Sequence, residues 1–518
     1  MTLKQGTTFS FLIALIIFAV SCSPRVGDSG SDKGKLVINL EGGDWGYPSP
    51  YTHYSRGPGV FKMRLLFDSL LERGEKGLIP WLAEKWSVSP DGRSYSFTIR
   101  KGVKWHDGES LTADDLKFSF EYFILHPPAS DELSAYGRNF IKGCKVIDPH
   151  SIRITVNSPD ATLLAKLGST RIIPRHVWEN VKDPKKFDSP QSVIGSGPFV
   201  LTGYSREEGS YRFEAFKDYN GPKQAVDVIR FIPVSDSVLA FEKGEIDLTS
   251  VPADLVKRYE NDPGYTIIRN PAFWGYRLLF NIKKKPELKD KKLRHAFAFS
   301  INRKELVEKV ARGAAVEGSM GYLPVDHVWY NSRVKTYPFE PAKGKELLSG
   351  RKYSFTLLTG NSRDEVRIAE LLKISLSIAG FNINVKSIDM KSRDAAVRSG
   401  DYEIALNGHG GWGSDPDMLR RVYSGTVRTD ASPSSDAIPG YSNSEINRLA
   451  MMQLREMNSK KRKEIIFRMQ EIIAEEVPQV PLYNTKGYTV FRNKKYSGWR
   501  HMFDHHEVTH NKLSYIKI

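Results

Sequence analysis

The sequence predicts a mixed α/β chain on three observations. Strand-like and helix-like stretches alternate along it, its apolar residues suffice for sizeable cores, and no repeat of about 20 to 50 residues is visible. With 518 residues, 40% hydrophobic and 26% charged, the chain is neither low in complexity nor too polar to bury a core. That length fits about two to four domains. The formal charge of +16 is interspersed with acids rather than gathered in a basic tail, which weighs against nucleic-acid binding.

The first element is a leader. Lys4 precedes an apolar run from Phe11 to Val20, too short to span a hydrocarbon core of about 30 Å, so residues 1–21 read as a secretory signal peptide. Ala19-Val20-Ser21-Cys22 resembles a bacterial lipobox, which implies diacylation of Cys22 and a lipid anchor; an ordinary cleaved signal with an incidental cysteine is the other reading. Residues 22–34 are polar and glycine-rich and read as a flexible tether. The second cysteine, Cys144, leaves no disulfide framework, and no Cys/His spacing points to structural zinc.

Order is expected from Lys35-Leu36-Val37-Ile38-Asn39-Leu40, a strand that breaks at Gly42-Gly43 and exposes Trp45. Between Asp91-Gly92 and Asp107-Gly108, the alternation of Tyr95, Phe97 and Ile99 predicts a strand with one buried face. Thr112 caps a predicted helix with Asp114 and Asp115 in its first turn and an apolar stripe of Leu116, Phe120 and Phe123. Ser459 is expected to cap a late helix carrying Ile465, Ile466, Met469, Ile472 and Ile473, with Pro478 beyond its end.

One region carries a family likeness. Leu78 to Trp86, then Asp91-Gly92-Arg93-Ser94-Tyr95-Ser96-Phe97-Thr98-Ile99-Arg100-Lys101-Gly102-Val103-Lys104-Trp105-His106-Asp107-Gly108, then Leu111 to Leu116 resemble the hallmark of family 5 extracellular solute-binding proteins. Ile194 to Phe199, Phe241 to Asp247, Phe280-Asn281-Ile282, Gly411 to Asp417 and Pro478 to Tyr483 fit the same family, so the likeness runs from Lys35 to about Tyr496.

The resemblance implies a two-lobed periplasmic-binding-protein-like fold with an additional domain inserted in lobe one. Lobe one would comprise 35–73, 190–292 and 487–518, the inserted domain 74–189, and lobe two 293–486. It also implies a monomeric receptor of a bacterial ABC importer that captures an oligopeptide or similar small solute. Its partners would be the permease and its ATPase subunits, with the membrane reached through Cys22. An oligosaccharide, nickel or haem-type ligand, or peptide sensing or scavenging without transport, remains open within that fold.

Folding accounts for His106, Asp107, Asp114 and Asp115, so ligand contacts are sought elsewhere. In peptide-binding relatives an aspartate after Trp-x-x-Asp pairs with the ligand ammonium, a role the resemblance gives to Trp412 and Asp415. Trp274 and Tyr276, alternate residues of one expected strand, would form flat walls, with Trp45 as a third aromatic. Arg277, Arg393 and Arg398 could each receive a ligand carboxylate. His501, Asp504, His505, His506 and His510 have metal-ligand chemistry without a recognised spacing, and are expected on an exposed surface. No metal and no cofactor is expected. Asp415 and Asp417 are the nearest thing to a catalytic carboxylate pair, but no GxSxG, HExxH or P-loop context occurs, so an exported hydrolase is the remote alternative.

Overall fold

A computed structural model describes residues 32–129, 140–410, 415–424 and 438–517; Cys22 and Trp412 lie outside them. Helices and strands mix throughout, as expected. Among the described residues the strands form five sheets.

One sheet of four strands runs Val37–Glu41, Val228–Ile232, Ser210–Ala215, Phe199–Ser205, the first pair parallel and the rest antiparallel. Nearby, Tyr488–Arg492 joins Leu248–Val251 to Tyr265–Arg269. The largest sheet has six strands, ordered Ala315–Glu317, Gln479–Thr485, Trp274–Phe280, Ile404–Gly410, Tyr353–Gly360, Phe381–Ile388. Trp274–Phe280 is central in it, and period two sends Leu278 and Phe280 into one core and Leu279 into another with Leu358 and Ala405. A separate antiparallel sheet, Ala83–Val88, Ser94–Ile99, Ser151–Val156 and Ile141–Asp148, has its own core, in which Tyr95, Phe97 and Ile99 are buried as their alternation requires.

Helix Ala113–Leu125 starts at Thr112 with a capping box, the Asp115 carboxylate accepting from the Thr112 backbone N–H at 2.9 Å. The late helix is Ser459–Glu476, and here the expectation shifts by one residue: the cap is Asn458, whose Oδ1 accepts from the N–H groups of Lys460 and Lys461. Ser459 is already inside the first turn, where its hydroxyl cannot serve as N-cap. Asp32, within the segment read as tether, is held by Arg212 and Arg230.

Helix Gly57–Leu66 packs against strand Phe199–Ser205 and the C-terminal segment Val508–Tyr515. A Cβ at Gly195 would stand 2.0 Å from the Leu66 carbonyl oxygen and one at Gly197 2.5 Å from that of Leu65, so only glycine lets this segment pass the end of the helix.

Candidate ligand-binding cleft

A cavity of about 900 Å³ opens between the six-stranded sheet and the sheets facing it. One side is lined by Leu40, Glu41, Phe231 and Thr249, the other by Trp274, Gly408, Thr485 and helix Met390–Ser399, and Gly57–Leu66 forms part of its floor. That volume is in the range of small-molecule sites.

Trp45 and Trp274 both line it. Trp45 follows the end of strand Val37–Glu41; its N–H donates to Tyr211 Oη at 2.9 Å and its ring lies 6.1 Å from that of Tyr54. The turn depends on Gly46, whose φ of +79° and close approach to the Thr52 carbonyl exclude a side chain. Trp274 lies over Gly408 and Gly410 on the paired strand, where added Cβ atoms would approach its ring to 2.8 and 2.6 Å. Tyr276 does not line the cavity. Its ring meets Trp274 edge-on at 4.7 Å and Tyr483 at 5.6 Å, which sets the tilt of the indole.

The polar lining is mostly cationic. Arg56, Lys62, Arg64, Arg73, Arg398 and Arg421 face the cavity, against Glu41, Asp394 and Glu507. Asp394 is claimed from within the protein: Arg56 donates to both of its oxygens at 2.6 Å, Tyr54 at 2.9 Å and Arg393 at 3.0 Å. Burial raises its pKa, but the Arg56 guanidinium outweighs that and holds the carboxyl below its usual range. Of the three arginines considered for a ligand carboxylate, Arg277 is buried on Tyr322 and Arg393 on Glu365 and the Leu406 carbonyl, which leaves Arg398 facing the cavity.

Asp415 lies outside the cavity lining. Its carboxylate is bound at two points by Arg462, at 2.5 and 2.7 Å, and accepts the N–H of Asp417 at 2.9 Å. Asp417 is buried on Lys166, Arg420 and Gln453, so the two acids serve different partners.

The histidine cluster departs from the expectation of an exposed surface: Asp504 and His505 are buried, and His501, His506 and His510 are partly buried. Val508–His510 packs on helix Gly57–Leu66, with His510 stacked on Phe61 at 4.5 Å, His505 edge-on to Phe61 at 4.9 Å, and His506 stacked on His505 at 4.6 Å. Its contacts lie some 450 positions away in the chain, where local spacing carries no signal. His505, His506 and His510 line the cavity, and desolvation lowers their pKa values, that of His506 to about 3. Among the described residues, no group of three or more His, Cys, Asp or Glu side chains is arranged to hold a metal ion.

A family profile described as bacterial extracellular solute-binding proteins, family 5 middle, matches residues 77–431. Among characterised proteins, the chain is 26% identical to heme-binding protein A of Haemophilus influenzae, over 82% of each chain. It is 28% identical to the dipeptide-binding protein of Escherichia coli, over 68% of this chain and 71% of that one. Among solved structures, the periplasmic binding protein DppA from Helicobacter pylori in complex with the peptide STSA superposes with a TM-score of 0.81 at 24% identity, covering 94% of this chain and 100% of that one. That likeness identifies the fold as the two-lobed binding-protein type.

Proposed function

The chain belongs to the bacterial extracellular solute-binding proteins of family 5, and from that premise we propose that it captures a short peptide between its lobes and delivers it to an ABC permease. The observation that carries the ligand assignment is the cavity of about 900 Å³ with Trp45 and Trp274 on opposite sides, flat walls that accept side chains of varied identity. Relatives named as dipeptide-binding support it. The work is capture; ATP hydrolysis belongs to the partner subunits, and lobe closure draws on the ligand's differential affinity for the closed form.

Within this reading, Trp45 and Trp274 contact the ligand and Tyr276 fixes the indole of Trp274. The family likeness gives Asp415 the ligand ammonium, a role that requires its pair with Arg462 to open and the carboxylate to turn towards the cavity. The pairing of Trp274–Phe280 inside the six-stranded sheet supports a crossover from lobe one to lobe two near residue 270 rather than at the expected boundary after residue 292. A diacylated Cys22 holds the receptor at the extracytoplasmic face of a membrane.

A metal chelate or haem-type ligand is the second reading, favoured by His409, His505, His506 and His510 in the cavity wall and by the relative named as heme-binding. A thermal-shift screen against di- to pentapeptides, oligosaccharides, nickel chelates and haem separates the two. A ligand at a hundred times its Kd adds about 2.7 kcal/mol of stability. A peptide-only shift supports the first reading, and a shift with haem or nickel chelate alone replaces it with the second.

A further inference from the structure

We propose that the end of the cavity at helix Gly57–Leu66 is a subsite for an anionic side chain of the ligand, a carboxylate or a phosphate, anchored by Lys62. This rests on the reading of the cavity as a peptide-binding cleft.

Lys62 lines the cavity yet is only 4% exposed. Among the described residues its ammonium has no hydrogen bond and no carboxylate oxygen within ion-pair distance; its close neighbours are the faces of Phe231, at 3.9 Å, and Tyr211, at 5.1 Å. A buried ammonium that keeps its charge needs an oxygen acceptor, and ring faces supply only part of what water would. Desolvation accordingly lowers its pKa to about 7, with Glu41 pulling the other way. An incoming anion supplies the acceptor that the protein withholds.

The surroundings agree in sign. Helix Gly57–Leu66 begins at the cavity with Gly57 and Pro58, has no side-chain cap and has no acid in its first turn, so the positive end of its dipole is uncompensated. His505, His506 and His510 form the adjoining wall, where neutral imidazoles can donate an N–H. Arg56 is taken up by Asp394 and Arg73 by Asp504, whereas Arg398 and Arg421 make no ion pair among the described residues. The remaining acids of the lining, Glu41 and Glu507, are both raised by burial; the proximity of Glu41 adds to the shift of Glu507, which reaches about 7. The opposition of Glu507 to an anion is thereby weakened near neutral pH.

The test is calorimetric titration at pH 7 with Ala-Ala-Ala and with tripeptides in which Glu, phosphoserine or Lys replaces one alanine at each position in turn. At least one acidic peptide should bind about tenfold tighter than Ala-Ala-Ala, the gain of one charge-assisted contact, and its Lys counterpart weaker. The Glu and phosphoserine arms distinguish carboxylate from phosphate. The ratio should collapse towards one in Lys62→Gln and be retained in Lys62→Arg, which checks that the substituted site still folds. Equal binding of acidic and neutral peptides, or a ratio that survives Lys62→Gln, overturns the subsite and leaves the peptide reading standing. Failure of the whole panel to bind overturns both.

Discussion

Arg56 and Asp394, 338 positions apart, meet across the cavity in a two-point ion pair, the Nε and Nη2 of the guanidinium each 2.6 Å from a carboxylate oxygen. Tyr54 donates to the same carboxylate, and Lys391 reaches Asp44 at 2.9 Å a short way along. Together they tie the start of helix Gly57–Leu66 to helix Met390–Ser399 across the cavity. Arg56→Ala should widen the ligand-free protein, read as a larger radius of gyration in solution scattering. It should also weaken ligand binding roughly tenfold, because the ligand must then supply the closing energy alone. Unchanged scattering and affinity would remove these contacts from the closing mechanism.

Trp274 keeps its place because Gly408 and Gly410 leave room for its ring. Gly408→Ala puts a methyl 2.8 Å from the indole and should displace it, lowering ligand affinity about tenfold with the fold intact by circular dichroism. Affinity equal to wild type would place the indole outside the recognition surface.

Asp415 and Arg462 give a prediction in which stability and binding separate. Asp415→Ala leaves the buried Arg462 without its carboxylate and should cost about 2 kcal/mol in denaturant unfolding. If the aspartate also receives the ligand ammonium, peptide affinity drops as well, and an N-acetylated peptide shows no such drop. If affinity is unchanged, the residue is structural only.

His106 sets a pH dependence. Its Nδ1 accepts the Gly195 N–H at 3.2 Å and its Nε2 faces the Gly197 carbonyl at 3.0 Å, so the ring fits as the neutral Nε2–H tautomer. Burial lowers its pKa to about 4 from 6.5. The unfolded chain therefore takes up this proton first as the solution is acidified. Stability from His106 is complete above about pH 6.5 and is lost as pH falls towards 4, by roughly 3 kcal/mol if this group acts alone. His106→Gln should flatten that part of the melting-temperature profile, and an unaltered slope would contradict it.

Much of the local structure was legible in the sequence because it is encoded locally. Tyr95, Phe97 and Ile99 alternate and are buried together, and Thr112 with Asp115 closes the capping box their spacing allows. Trp45 and Trp274, singled out through a glycine-flanked loop and a strand, both line the cavity. The far pairings were not. Nothing near Asp415 points to Arg462, nothing near His510 points to Phe61, and Lys62 looks like any solvent-facing lysine of a helix until strand Val228–Ile232 brings Phe231 over it. Periodicity reports which face of an element is buried, and the tertiary fold decides against what.

The central claim is that the cleft walled by Trp45 and Trp274 binds a peptide, and calorimetric titration of wild type and Trp274→Ala with one tripeptide tests it most directly. The account predicts one peptide per chain for the wild type and at least about tenfold weaker binding for the variant, with both proteins melting cooperatively. One-to-one binding that the substitution leaves unchanged, or a wild type that binds haem or a nickel chelate and no peptide, would contradict it.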